Sequence, residues 1–268
     1  MGHCPKREEI DTMYIEINDV SKTYYQKGES FQALNHVSLG VEKGELICLL
    51  GPSGCGKSTL LNALAGFELV DEGSIKIQGV EVKSPSIKNI TIFQNYGLLP
   101  WRNVLKNVEL GLETSNISKQ EKTLLAKKYI SLVGLTNFES SHPHQLSGGM
   151  QQRVSIARAL ATNPDILFMD EPFGALDAIT RLKMQNDLLE ITKSQKKTTI
   201  FVTHDIEEAV YLADRIAIMT PNPGQIKEII QVKLPANRDR TSGDFVRIRD
   251  KIFEVLNMKD ENPMEYNI

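Results

Sequence analysis

Gly51-Pro52-Ser53-Gly54-Cys55-Gly56-Lys57-Ser58 is the stretch that decides how this chain is read. It fits G-x-x-x-x-G-K-[ST], and its flanks are those that give the pattern meaning. Before it stands the apolar run Leu46-Ile47-Cys48-Leu49-Leu50, which reads as a buried strand, and after it comes a helical stretch from Thr59 to Gly66. The residue types follow from the chemistry of holding phosphate. Glycines let successive backbone N–H groups curl around phosphate oxygens. The helix N-terminus adds partial positive charge, worth about 0.3–1 kcal/mol in exposed settings. Lys57 is expected to reach the β- and γ-phosphates and Ser58 to hold Mg²⁺. A nucleoside triphosphate and Mg²⁺ are thereby implied, but kinases, GTPases and ATPases all satisfy the motif. Cys55 reads as a tolerated small side chain in the loop, and its alkylation is expected to block nucleotide binding by bulk.

Downstream, Ile166-Leu167-Phe168-Met169 ends in Asp170-Glu171-Pro172. An acid at the carboxyl end of a parallel strand lies near the ligand crevice. Asp170 suits the Mg²⁺ shell, directly or through water. Glu171, one residue on, is placed to orient and polarise an attacking water, a role worth about 10²–10⁴ in rate. His204 follows the next apolar run, in Val202-Thr203-His204-Asp205. A lone histidine is more often structural, but a strand end beside the same crevice favours a hydrogen bond to the γ-phosphate.

Around these motifs the patterning divides in two. Tyr14–Asn18, Val37–Val41 and Ser74–Gln78 alternate, as half-buried antiparallel strands do. Leu46–Leu50, Ile166–Met169, Thr199–Val202 and Ile216–Met219 are continuous apolar runs separated by helical patterns, as in a buried parallel sheet. The fold class is therefore α/β, a mostly parallel core sheet with an antiparallel flank. Between about 98 and 160 the pattern is helical. Leu124, Leu125, Tyr129, Ile130 and Val133 recur there at helical spacing, with Gly134 as the C-terminal cap. Phe245, Ile248, Ile252, Phe253 and Leu256 describe an amphipathic helix expected to dock on the domain.

Composition supplies exclusions. The 268 residues are 41% hydrophobic and 24% charged, enough for a sizeable core. The apolar runs fall far short of the about twenty residues a spanning helix needs. Lys and Arg number 31 against 34 Asp and Glu, which gives no electrostatic footprint for nucleic acid. Three cysteines make neither a disulfide framework nor a metal spacing and read as reduced thiols of a cytoplasmic protein. Residues 1–12 are polar, carry no secretory signal and read as a flexible extension.

Leu146-Ser147-Gly148-Gly149-Met150-Gln151-Gln152-Arg153 resembles the signature of ATP-binding-cassette (ABC) ATPases. Gln94, the Ala175-Leu176-Asp177 loop and His204 match that family's other motifs in order, and the resemblance covers roughly residues 13–235. It implies a P-loop ATPase cassette with an antiparallel β subdomain and a helical subdomain at about 98–160, followed by a helical tail at 236–268. Ser147, Gly148 and Gly149 stand at a helix start, where a hydroxyl, N–H groups and the helix dipole suit an anion. By resemblance, that anion is the γ-phosphate held by a second cassette, in a homodimer formed on ATP binding. The resemblance also implies that Gln94 contacts Mg²⁺ and the attacking water, and that Asp177 communicates across the dimer. It further implies that Tyr24 stacks on adenine, Tyr25 being the alternative.

Gly97-Leu98-Leu99-Pro100-Trp101-Arg102-Asn103-Val104 is similar to the nitrate, sulfonate and taurine branch of bacterial importers. This implies an ATPase subunit that drives two transmembrane permease subunits from the cytoplasmic face of the membrane, with a solute-binding protein acting indirectly. Taurine, alkanesulfonates, nitrate, bicarbonate and pyrimidine vitamin precursors are all served by similar cassettes. Trp101 is open between the groove that receives the permease and a local core role. An exporter subunit or a cassette for another solute is the alternative within transport. Non-transport ATPases of the superfamily fit less well: the interval from Gln94 to Leu146 is too short for their coiled-coil insertions, and there is one cassette. A β-rich regulatory domain is not expected, because only about thirty residues follow Pro235.

Overall fold

The computed structural model describes residues 13–26, 29–93, 95–235 and 237–256. The extension read at 1–12, Gln94, and the tail beyond 256 lie outside them.

Two sheets carry the fold. The first is antiparallel, in the order β2 (Glu29–Val41), β1 (Ile15–Gln26), β4 (Glu72–Ile77), β5 (Val80–Glu81). The second has six strands: β10 (Gln225–Gln231), β9 (Arg215–Thr220), β3 (Leu46–Leu50), β8 (Thr198–Thr203), β7 (Ile166–Asp170) and β6 (Asn89–Ile92). All of its pairings are parallel except that of β10. The alternating stretches thus fell in the antiparallel sheet and the continuous runs in the parallel one.

Continuous runs are explained by a sheet covered on both faces. Along β3, Ile47 and Leu49 join one core with the antiparallel sheet and α1 (Lys57–Leu64), while Leu46, Cys48 and Leu50 join the other. That second core is closed by α4 (Gly148–Ala161), α5 (Ala178–Ser194), α6 (Ile206–Leu212) and α7 (Gly243–Val255). Each fully buried Leu or Ile contributes roughly 1.5–3 kcal/mol, so both faces are held firmly.

The helical region holds α2 (Val104–Leu110) and α3 (Lys119–Leu132), both packed on α4. Helix α3 starts with a capping box, Ser118 with Glu121, and Gly134 follows its end at φ +70°. Of the five apolar residues at helical spacing, Leu124 is 69% exposed. The buried stripe of α3 is Ala126, Tyr129 and Ile130. Six residues before Ile130, at 100° each, Leu124 points away from it. Helix α7 docks as its pattern predicts, with Phe245 and Ile252 fully buried in the second core.

Candidate active site

Strand register builds the site. Leu50 pairs with Thr203 and Asp170 with Val202, so β3, β8 and β7 end side by side. The next residues, Gly51, His204 and Glu171, therefore share one rim of the sheet, the carboxyl-end rim where α/β folds bind ligands.

The phosphate loop spans from β3 to α1. Gly54 and Gly56 have φ of +81° and +89°, conformations that L side chains rarely adopt. A Cβ at Gly56 would lie 2.6 Å from Ala33 O, whereas one at Gly54 would meet nothing within 4 Å. Gly56 is thus required by packing as well as by φ, and Gly54 leaves the mouth of the loop open. Lys57 is buried, and its Nζ lies in the loop's concavity, donating to Gly51 O at 2.7 Å and Pro52 O at 2.9 Å. Cys55 is fully buried beside it, and burial pushes its thiol pKa up. A thiol reagent therefore reaches it only if the loop opens.

Ser58, at the second position of α1, stands close to the Asp170 carboxyl at the end of β7. Burial raises the Asp170 pKa, opposed by the Ser58 hydroxyl and by Lys57 and reinforced by Glu171. A hydroxyl and a carboxylate brought together are hard oxygen donors that fit Mg²⁺. Glu171 sits at φ +46°, an uncommon backbone for glutamate, and its N–H donates to Val202 O at 3.0 Å. Its Oε1 lies 3.1 Å from His204 Nδ1. The two residues assigned separately to water and to phosphate are therefore bound to one another.

Tyr24 is on β1. Its hydroxyl donates to Glu68 Oε2 at 2.7 Å, while Lys22 Nζ stands 5.7 Å from its ring centroid. Tyr25, on the opposite pleat, is 82% exposed and makes no such hydrogen bond among the described residues. Lys22 also bonds Asp71, which accepts the Thr23 N–H at 2.6 Å.

The remaining predicted residues form a second group. Ser147 is the N-cap of α4, accepting the Met150 N–H at 3.3 Å. A Cβ at Gly149 would meet Ala175 O at 3.2 Å, and one at Gly148 the Tyr96 hydroxyl at 2.9 Å. The signature glycines thus serve close packing against the 175–177 loop as well as offering N–H groups. Asp177 caps α5 by accepting the Thr180 N–H, and these hydrogen bonds hold its carboxyl below the usual range. Among the described residues, no hydrogen bond links Ser147–Gly149 to the phosphate loop. Gln94 lies outside the described residues; Tyr96 and Gly97, just after it, are clamped by Arg158 of α4 through their carbonyls. Trp101 is 72% exposed, which removes the core alternative, and it borders a groove of about 440 Å³ with Arg102, Lys106 and His142.

Comparison with known proteins agrees with this geometry. The model of the ABC transporter family matches residues 34–174. The chain belongs to the ABC transporter family. Like other members, this cassette is an ATP-binding ATPase. It is 45% identical over 242 residues to the aliphatic sulfonates import ATP-binding protein SsuB of Bacillus cereus, covering 90% of this chain and 95% of that one. It is 45% identical over 252 residues to the bicarbonate transport ATP-binding protein CmpD of Synechocystis sp., covering 91% and 89%. A solved ATP-binding cassette, dimeric in a post-hydrolysis state with ADP and Pi, superposes with a TM-score of 0.76 at 33% identity, covering 82% of this cassette and 100% of that chain. Among the described residues, no helix is long and apolar enough to cross a membrane.

Sequence reasoning missed the polar groups that support the site from behind. Glu208 is buried under His204, and the Lys22–Glu68–Asp71 cluster stands behind Tyr24. In Asp205-Ile206-Glu207-Glu208 the D-x-x-E spacing is a capping signal, and Asp205 does accept the Glu208 N–H. That spacing was the one available hint that Glu208 differs from its neighbour.

Proposed function

We propose that this cassette is the energy-coupling subunit of an importer for small oxyanions, sulfonate or bicarbonate being the chemistry its relatives are named for. Lys57 and the loop N–H groups hold the triphosphate of ATP, and Tyr24 stacks on adenine. Ser58, Asp170 and Gln94 supply the Mg²⁺ shell; the ion, when bound, offsets charge on the phosphate oxygens. Glu171 takes the proton of the attacking water as its oxygen bonds the terminal phosphorus. The bond from that phosphorus to the bridging oxygen breaks, and ADP leaves. His204 donates to the terminal phosphate. With Nδ1–H given to Glu171, donation from Nε2 as well requires the imidazolium form.

The observation that carries this function is the 3.1 Å contact between Glu171 and His204 on the rim that also holds the phosphate loop and Asp170. The separation of Ser147–Gly149 from that rim supports a homodimer, in which the signature of one copy completes the other copy's site and Asp177 lies at the junction. Residues 13–235 form the cassette and 236–268 the tail, and the exposed Trp101 groove faces two permease subunits at the cytoplasmic membrane surface. The test is co-purification of a permease and a solute-binding protein with this chain, followed by reconstitution of the three. Solute-stimulated ATP hydrolysis is expected, and a chain that hydrolyses ATP but associates with no membrane protein would refute the importer role.

A further inference from the structure

Behind His204 runs a chain of buried hydrogen bonds that the reaction described above does not use. It begins in the strap that follows β10. Arg240 Nη2 donates to Gln185 Oε1 on α5 at 2.6 Å, and Gln185 Nε2 donates to Glu208 Oε1 on α6 at 2.9 Å. Glu208 Oε2 accepts the Thr203 hydroxyl at 2.7 Å, and Thr203 Oγ1 in turn accepts the Asp205 backbone N–H at 3.0 Å. Thr203 and Asp205 are the two chain neighbours of His204, so both flanks of the histidine are pinned by this chain. Its inner members are closed to solvent: Gln185 is 1% exposed, Thr203 2% and Glu208 6%.

The polarity of the chain is fixed by chemistry. Arginine only donates and a carboxylate only accepts, so the Gln185 amide has one workable orientation, oxygen to Arg240 and nitrogen to Glu208. The amide thereby links a guanidinium to a buried carboxylate that has no cation within 4 Å among the ion pairs described. A buried carboxylate is costly without such support. The strap is itself locked on α6. The Arg240 guanidinium stacks 3.8 Å from the Tyr211 ring centroid. Arg238, buried, donates to the Val210, Tyr211 and Ala213 carbonyls at the end of that helix.

We propose that Glu208 is a positioning residue for His204, and that Arg240 acts on the histidine through Gln185 and Glu208, so that the strap after the last strand sets the rate of ATP hydrolysis. This rests on His204 acting on the terminal phosphate. Glu208 holds the Thr203–Asp205 backbone, that backbone aims the imidazole at Glu171 and phosphate, and loss of aim costs rate rather than ATP binding.

The test uses the full chain with Arg240→Ala, Arg240→Lys, Glu208→Gln and the double variant. Arg240→Ala and Glu208→Gln are each expected to lower kcat between about tenfold and about a hundredfold, with KM for ATP little changed. The double variant should lose no more than the worse single one, because the chain acts as a unit. Arg240→Lys, which keeps a donor for Gln185, should recover most of the rate. In ¹H–¹⁵N spectra of the imidazoles, the His204 ring signals should move in Arg240→Ala although the substitution lies outside the site. Unmoved His204 signals, or losses that multiply in the double variant, would overturn the positioning role. Full turnover in His204→Ala would instead overturn the catalytic reading beneath it. Arg240→Ala removes a partly exposed side chain, so it remains informative should Glu208→Gln fold poorly.

Discussion

Replacing Glu171 by Gln isolates the proposed base with little disturbance of its surroundings. The backbone N–H bond to Val202 O does not involve the side chain, and the φ of +46° is the same for either residue. The Gln oxygen can still accept from His204 Nδ1, now 3.1 Å from Glu171 Oε1. What disappears is a carboxylate able to take a proton. A positioned base is worth about 10²–10⁴ in rate, or about 3–5 kcal/mol of barrier at about 1.36 kcal/mol per tenfold. Phosphate release should therefore fall at least about a hundredfold, while binding of a fluorescent ATP analogue is retained. Because ATP then persists, sedimentation with ATP should show a stable dimer. A companion Glu171→Gly variant should be equally inactive yet no less stable, since glycine relieves about 1 kcal/mol of left-handed backbone strain. Turnover close to that of the parent chain in Glu171→Gln would refute the assignment. So would loss of nucleotide binding, because the geometry predicts an intact pocket.

Other consequences are testable separately. Arg238→Ala strips four hydrogen bonds from the end of α6, three to carbonyls and one to Asp214, and should cost at least about 3 kcal/mol in urea unfolding; a cost near zero would mean water replaces the guanidinium. Gly56→Ala forces a Cβ to within 2.6 Å of Ala33 O at φ +89° and should abolish nucleotide binding in equilibrium titrations, an effect that Gly79→Ala, at an open turn with φ +74°, should not produce. Asp71 is held below its ordinary pKa of 3.8 first by the Thr23 N–H and then by Lys22. Its folded pKa is depressed, so its contribution is present above that value and lost as pH falls through the lower folded one. The stability difference between the parent and Asp71→Asn should be flat near neutrality and shrink in strong acid; a difference that grows on acidification would reverse the sign and refute the pairing.

Much of the cassette was legible in the chain alone. Continuous apolar runs at Leu46–Leu50 and Ile166–Met169 announced strands covered on both faces, because only a doubly buried strand can spare its polar alternation. The loop from Gly51 to Ser58 and the acids Asp170 and Glu171 were legible because they are local: a helix start and a strand end position them whatever the rest of the chain does. The same locality explains the cap at Gly134. The exposure of Leu124 was not legible, because hydrophobicity does not say which side of a helix meets a neighbour.

Distance along the chain set the limit. The pairing of Leu50 with Thr203 joins segments far apart in sequence and brings His204 beside the phosphate loop, while the pairing of Asp170 with Val202 puts it against Glu171. Glu207 and Glu208 are the same residue type side by side, yet one is exposed and the other buried under His204 with Gln185 and Thr203. Arg238 and Arg240 read as ordinary charges on a polar tail until α6 is packed beneath them. Residue type and local spacing determined which groups are proposed to hold phosphate, water and proton, since those roles depend on the chemistry of single side chains. Tertiary structure decided which groups support them, because burial and hydrogen-bond partners come into being only when remote segments meet.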